Sequence, residues 1–246
     1  MIDRTLIEDL VRERLLAALS PNKKSTPSIP SVSDKPVSQS KPLDFVNEQA
    51  ILAHRGEKVI QLAHNAVVTP SARDMAEQLN IQLIPATSPQ ASPVIEPHNP
   101  NAVVIGADHG GYPLKEEIKK ELKNWGYTIV DVGTNSTETV DYPDFAYAVA
   151  AAVASGRCKR GIMIDGAGIG SAMAANKVNG VRAAHCTNIY EIKNSREHND
   201  ANVLTLGSKV IGSGVAIDMV KMWLETPFAG GRHQRRVEKI MQLEKL

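Results

Sequence analysis

Gly161-Ile162-Met163-Ile164-Asp165-Gly166-Ala167-Gly168-Ile169-Gly170-Ser171, running on through Ala172-Met173-Ala174-Ala175-Asn176-Lys177, reads as a short buried strand, a glycine-rich turn and the start of a small-residue helix. A carboxylate, Asp165, stands where the strand ends. Strand-to-helix turns of this kind present backbone N–H groups to an anion. Here a reactive side chain lies beside those groups.

Outward from this unit the chain alternates strand and helix. Ala102 to Ile105 and Thr128 to Val132 are strands before it; Val181 to Cys186 and Val203 to Leu206 are strands after it. Leu114, Ile118, Leu122 and Trp125 form the apolar stripe of a helix that opens near Pro113, and a second helix is expected from Tyr142 to Ser155. Further helices fall over 188–197 and 213–225, with a basic one at the C-terminus. Such alternation predicts a five-stranded parallel sheet with helices on both faces. Ligands of such sheets bind at the C-terminal strand ends, where Asp108-His109, Asp165 and Ser208-Lys209 fall.

The residues before this region divide differently. Residues 1–20 carry Leu6, Ile7, Leu10, Val11 and Leu15 on one helical face. Residues 21–43 are a Pro/Ser linker, 44–85 a small α+β extension, and 86–100 a second polar linker. In the extension, 58–62 and 66–68 read as strands, Thr69-Pro70 opens a helix through Leu79, and 81–84 reads as a further strand. The regular strand–helix alternation fills 101–246.

Composition narrows the function classes. The 246 residues hold 28 Lys+Arg against 27 Asp+Glu, so nothing global points to nucleic acid or an anionic membrane. Two cysteines, Cys158 and Cys186, build neither a disulfide framework nor a zinc site. No apolar run reaches the roughly 20 residues a bilayer span needs. The reading is a soluble cytoplasmic protein.

Residues 102–240 resemble the ribose-5-phosphate isomerase B family, which includes the galactose-6-phosphate isomerase subunits. The resemblance rests on Gly106-Ala-Asp108-His109-Gly110, Asp141-Tyr142-Pro143, Gly166-Ala-Gly168-Ile-Gly170 with Ala175-Asn176-Lys177, Arg196-Glu-His198-Asn199-Asp200-Ala-Asn202, and Gly230-Gly231-Arg232-His233-Gln-Arg-Arg236. It implies a Rossmann-like sheet, a homodimer or tetramer with sites between subunits, and aldose–ketose isomerisation of a sugar phosphate through an enediolate. No metal or organic cofactor is implied. Arg232, Arg236 and His109 match the phosphate grip, and fork-shaped guanidinium donors suit a phosphate. His198 matches the ring-opening histidine, with Asn199 beside it, and Asp108 and Tyr142 line the pocket. The N–H groups of Gly166, Gly168 and Gly170 match an oxyanion loop, although a tight strand-to-helix turn needs glycines in any case.

The chain also departs from that family. One branch has a cysteine base where Asp165 stands and a threonine where Ala167 stands; another takes its base from a glutamate where Ser171 stands. Asp165 is the replacement expected here, since a carboxylate is a competent base for a proton beside a carbonyl. Lys209 replaces a common arginine. Three readings follow: a ribose-5-phosphate isomerase with Asp165 as base, an isomerase of allose or galactose 6-phosphate, or a catalytically degenerate sugar-phosphate-binding scaffold.

Residues 1–20 with their linker resemble the encapsulation peptides of enzymes packed into bacterial microcompartments, which implies shell or cargo proteins as partners. A docking helix of this kind lays its apolar face into a groove; the alternative is that it docks on its own domain or pairs with itself in an oligomer. A fluorescent reporter fused to residues 1–43 is expected to form compartment-sized foci in cells that build such shells, and a diffuse signal there counts against the reading.

Overall fold

The computed structural model describes residues 42–86, 99 and 101–245. The helix expected over 1–20, most of the linker over 21–43 and most of that over 86–100 lie outside the described residues. The chain first builds β1 (Leu43–Val46), α1 (Glu48–Ala53), β2 (Val59–Val68), α2 (Pro70–Gln78) and β3 (Gln82–Pro85). Asn47 and Thr69 cap the two helices, accepting from the N–H groups of Ala50 at 2.9 Å and Ala72 at 3.2 Å.

The three strands are all parallel, in the order β1-β2-β3, so the extension is a β-α-β-α-β unit. The sequence suggests two short strands where the chain runs a single one, Val59–Val68. The polar break is absorbed by an irregular register: Leu43 pairs with Leu62, but Phe45 pairs with Val67. The helices bury Ile51, Ala72 and Ala76 with Val46, Ile60, Val68 and Ile81 in a small core of their own.

The larger part comprises β4 (Ala102–Ala107), α3 (Tyr112–Asn124), β5 (Thr128–Asp131), α4 (Tyr142–Ala154), β6 (Arg160–Asp165), α5 (Ile169–Ala175), β7 (Ala183–His185), α6 (Ile189–Glu197), β8 (Val203–Gly207), α7 (Ser213–Glu225) and α8 (Gln234–Gln242), the last preceded by a 3₁₀ turn at Gly231–His233. Its five strands are parallel in the order β5-β4-β6-β8-β7, as the alternation predicts. Strand β7 keeps only the middle of the predicted 181–186 run, as an edge strand paired on one side alone. β4, β6 and β8 are buried on both faces. Val103, Ile105, Ile162, Ile164, Leu204 and Leu206 pack with α3, α6 and α7, while Val104, Met163 and Val203 pack with α4 and α5.

Helix α4 is apolar almost all round: Phe145, Ala146, Ala148, Val149, Ala150, Ala152 and Val153 are all buried. A helix of that kind needs cover on two sides. One side meets the five-stranded sheet, where Gly106 and Gly161 admit it: a Cβ on either would stand 2.8 Å or 2.7 Å from a Val149 methyl. The other side meets the extension, whose Val67 and Phe45 join the same apolar cluster. Ser71 donates to Asp144, and Arg157 pairs with Asp44 at 2.7 Å at the rim of this contact.

Beneath α3 lies a charge the pattern places on the surface. Lys115 is fully buried and pairs with Asp131 at 2.7 Å; Lys119 reaches the other Asp131 oxygen at 2.5 Å. Burial alone would raise the Asp131 carboxyl, but Lys115, Lys119 and the Gly133 N–H outweigh it and hold it below its ordinary range. Its stabilisation is therefore present above the unfolded carboxylate range, near pH 4, and lost as pH falls through the lowered folded one. Asp131→Asn leaves Lys115 buried with only Glu116 nearby and is expected to destabilise by about 3 kcal/mol at pH 7. The difference should shrink in acid, as urea titrations at pH 7 and pH 3 would show.

Candidate active site

The strand order changes direction at β4: the chain steps from it to β5 on one side and to β6 on the other. Open α/β sheets bind ligands in the crevice at such a point. Ala107 registers with Ile164, and the Asp108 N–H donates to the Ile164 carbonyl at 3.1 Å. Asp108 and Asp165, each one residue further on, thus flank the crevice. Gly111 faces the Ile164 carbonyl closely enough that no side chain fits there, and the Ser208 hydroxyl donates to the Gly110 carbonyl at 2.8 Å. The three loops that carry candidate residues are tied to one another.

Both carboxylates are buried, 7% and 4% exposed. Asp108 Oδ1 accepts the Gly111 N–H at 2.8 Å. Burial pushes the Asp108 carboxyl above its ordinary range; the Gly111 N–H and His109 oppose the rise, and the charge of Asp165 adds to it. Asp165 takes four donors. Its Oδ1 accepts the N–H groups of Ala167, at 2.7 Å, and Gly168; its Oδ2 accepts the N–H of Ser171, at 3.2 Å, and the Ser171 hydroxyl.

This arrangement divides the expected oxyanion loop. Gly168, with φ +81°, has its N–H engaged by Asp165, so it is not free for a substrate oxygen. The N–H groups of Gly166 and Gly170 have no acceptor among the described residues. The Tyr142 ring, 40% exposed at the first position of α4, closes over Gly170, while the Lys209 side chain lies nearest Gly166. A Cβ on Gly170 would stand 2.6 Å from its hydroxyl oxygen. His109 sits at the same edge, its Nδ1 3.3 Å from the Val140 N–H, and exposed Lys209 donates its own N–H to the Gly166 carbonyl at 3.1 Å.

The remaining candidates lie at the opposite edge of the sheet. His198 ends α6, five residues before β8 begins, and Asn199 donates to Asn194 there. The His233 ring lies flat on the His198 ring, centroids 4.0 Å apart and planes 6° from parallel. Arg232 and exposed Arg236 flank that pair on the C-terminal segment. β8 runs for five residues, so the two edges are about 16 Å apart at 3.3 Å per residue. Within one chain the structure brings Asp108, His109, Tyr142, Asp165 and the glycine turn together, and His198, Asn199, Arg232 and Arg236 together, but not the two groups with each other.

Two residues of the family motifs serve the fold. Arg196, 1% exposed, donates to Asp200 at 2.8 Å and to the Ala201 carbonyl, and lies over the Trp223 ring. Asn202 ties the Gly180 carbonyl and the Arg182 N–H at the strand entrances. Sequence reasoning gave no role to His233, although it lies between the two matched arginines, nor to the Ser171 hydroxyl, although Ser171 follows the last glycine of the turn. Among the described residues no group of three His, Cys, Asp or Glu side chains is placed to hold a metal.

Comparisons with known proteins bear on the same region. The family model described as Ribose/Galactose Isomerase matches residues 103–240. Ribose-5-phosphate isomerase B of Escherichia coli is 46% identical over 142 residues, covering 58% of this chain and 95% of that protein. A D-erythrulose-4-phosphate isomerase of Pectobacterium atrosepticum is 41% identical over 140 residues, 56% of this chain and 92% of that protein. The solved ribose-5-phosphate isomerase B of Clostridium thermocellum is 56% identical and superposes with a TM-score of 0.58, covering 58% of this chain and 97% of that one. With the match spanning more than half its length, the chain belongs to the ribose/galactose isomerase family.

Proposed function

We propose that the chain is a ribose-5-phosphate isomerase whose sites each combine the two sheet edges of two copies. The observation that carries this is the split of the candidate residues between edges about 16 Å apart. One set offers buried carboxylates and free N–H groups; the other offers imidazole and guanidinium groups. A pentose phosphate is shorter than that separation, so a second copy must supply the missing half. Exposed apolar side chains border both edges: Ile169, Met173, Tyr190 and Val210 at one, Ile240 and Leu243 at the other. They suit a contact between copies.

In this reading Arg232, Arg236 and His109 hold the phosphate, and His198 moves a proton between O1 and the ring oxygen to open the sugar. Asp165 then takes the proton from C2. The electron pair left on C2 forms the C1=C2 bond, and negative charge goes to O1 beside the N–H groups of Gly166 and Gly170. Asp108, buried beside a second carboxylate, is suited to carry a proton between O2 and O1. Return of the Asp165 proton to C1 gives the ketose.

Ser171 makes this workable for a carboxylate with no vacant lone pair. Its hydroxyl donates to the ionised Asp165 and, turned about its C–O bond, accepts from the protonated one. Asn199 lines the sugar from the His198 side. The Pectobacterium relative's substrate and the presence of Lys209 favour one second reading, a sugar phosphate of different length.

Asp165→Asn is expected to fold, with a lowered melting temperature because its amide NH₂ cannot accept from Ser171, and to lose at least about 100-fold in ribose 5-phosphate turnover. Turnover retained in that variant excludes Asp165 as base, and a wild type that neither turns over nor binds any pentose, tetrose or hexose phosphate overturns the enzyme reading. Equal mixing of Asp165→Asn and His198→Asn chains should restore about a quarter of wild-type activity, because half the dimers then hold one intact site of two. No recovery after mixing and subunit exchange contradicts sites shared between copies. Asp108→Asn is expected to lose turnover yet melt higher than wild type at pH 7. The raised Asp108 carboxyl makes its ionisation costly to the fold only at a pH where the unfolded chain is ionised. That gain should disappear below about pH 4, and calorimetry across this range would measure it.

A further inference from the structure

The stacked histidines carry a constraint that the reaction scheme leaves unused. The Arg232 Nε–H points at His233 Nε2 from 3.3 Å. A guanidinium has no lone pair to offer, so this His233 nitrogen is the acceptor and its proton resides on Nδ1. On the facing ring, His198 Nδ1 lies 2.8 Å from the side-chain nitrogen of Asn194. The Asn194 oxygen is already taken by the Asn199 amide at 3.1 Å. Asn194 therefore turns its NH₂ toward His198, whose Nδ1 accepts and whose Nε2 carries the exchangeable proton.

Two neighbours outside the stack act in the same sense. Burial, then His198, Arg232 and Arg236, hold His233 below the usual imidazole range.

We propose that His233 is a positioning residue for His198: its flat ring, held in place by Arg232, fixes the plane of His198 and so the direction in which Nε2 faces the sugar. This rests on His198 as the ring-opening group under the proposed function. The same stack gives Asn194 and Asn199 their place: they set which His198 nitrogen faces the sugar.

The test is ¹⁵N NMR of the His198 ring in the full chain, alongside steady-state kinetics. In wild type the two ring nitrogens should report one tautomer, with Nδ1 the acceptor from Asn194 and Nε2 the N–H. His233→Ala lets the ring turn away from Asn194 and should mix the two tautomers. It should also cut kcat on ribose 5-phosphate by about tenfold with KM unchanged. His233→Phe, which keeps a flat ring without the nitrogens, should restore both. An unchanged tautomer signature in His233→Ala, or a His233→Phe chain no better than His233→Ala, overturns the proposal. The NMR signature reads the stack whether or not the chain turns over a pentose phosphate, so failure of the proposed function and failure of this inference give different results.

Discussion

Four donors converge on the Asp165 carboxylate, three from backbone N–H groups of the glycine turn and one from the Ser171 hydroxyl. The turn must leave β6, reverse and begin α5 within four residues, and N–H groups at a helix start have no partner in the helix itself. Asp165 supplies that partner from the end of the preceding strand. The helix start is thereby fixed against the strand, and with it the free N–H groups of Gly166 and Gly170, the ring of Tyr142 over Gly170 and the loops of Asp108 and Ser208 beside them. A single side chain thus sets the local geometry of the crevice and, in the proposed reaction, is also the base. The fold occupies its lone pairs while that reaction needs one of them free, and the rotatable Ser171 hydroxyl is the group proposed to meet both demands.

Much of this was legible in the sequence, and for definable reasons. β4, β6 and β8 are buried on both faces, so each is a continuous apolar run that periodicity detects. The strand ends follow from the parallel topology, which puts Asp108 and Asp165 at one edge of the sheet. What could not be read depends on groups far apart in the chain. Lys115 lies in the charged run Lys115-Glu116-Glu117 and looks solvated; only Asp131, at the end of another strand, makes its burial tolerable. Gly168 looked like an oxyanion donor because spacing shows where an N–H is, not whether a neighbouring carboxylate has taken it. The separation of His198 from Asp165 was hidden because a motif list has no direction, whereas α6 carries the chain from one edge of the sheet to the other.

The extension shows the same limit from another side. Its helix caps and strands were visible, but not its partner. The apolar circumference of α4 needs cover on two sides, and the second cover comes from β1 and β2, about eighty to a hundred residues earlier in the chain. Ser71 meets Asp144 in the first turn of α4, Asp44 pairs with Arg157 just past its last turn, and Phe45 packs against the apolar cluster that α4 fills.

Tyr142 is the first residue of that helix. The small sheet that covers α4 therefore stiffens, from behind, the element that holds an aromatic ring over the reaction crevice. Cutting the chain back to the length of its single-domain relatives would not be the removal of a tag. It would bare a greasy helix and loosen the ring's foundation in one stroke, so the extension and the larger sheet act as a single mechanical part.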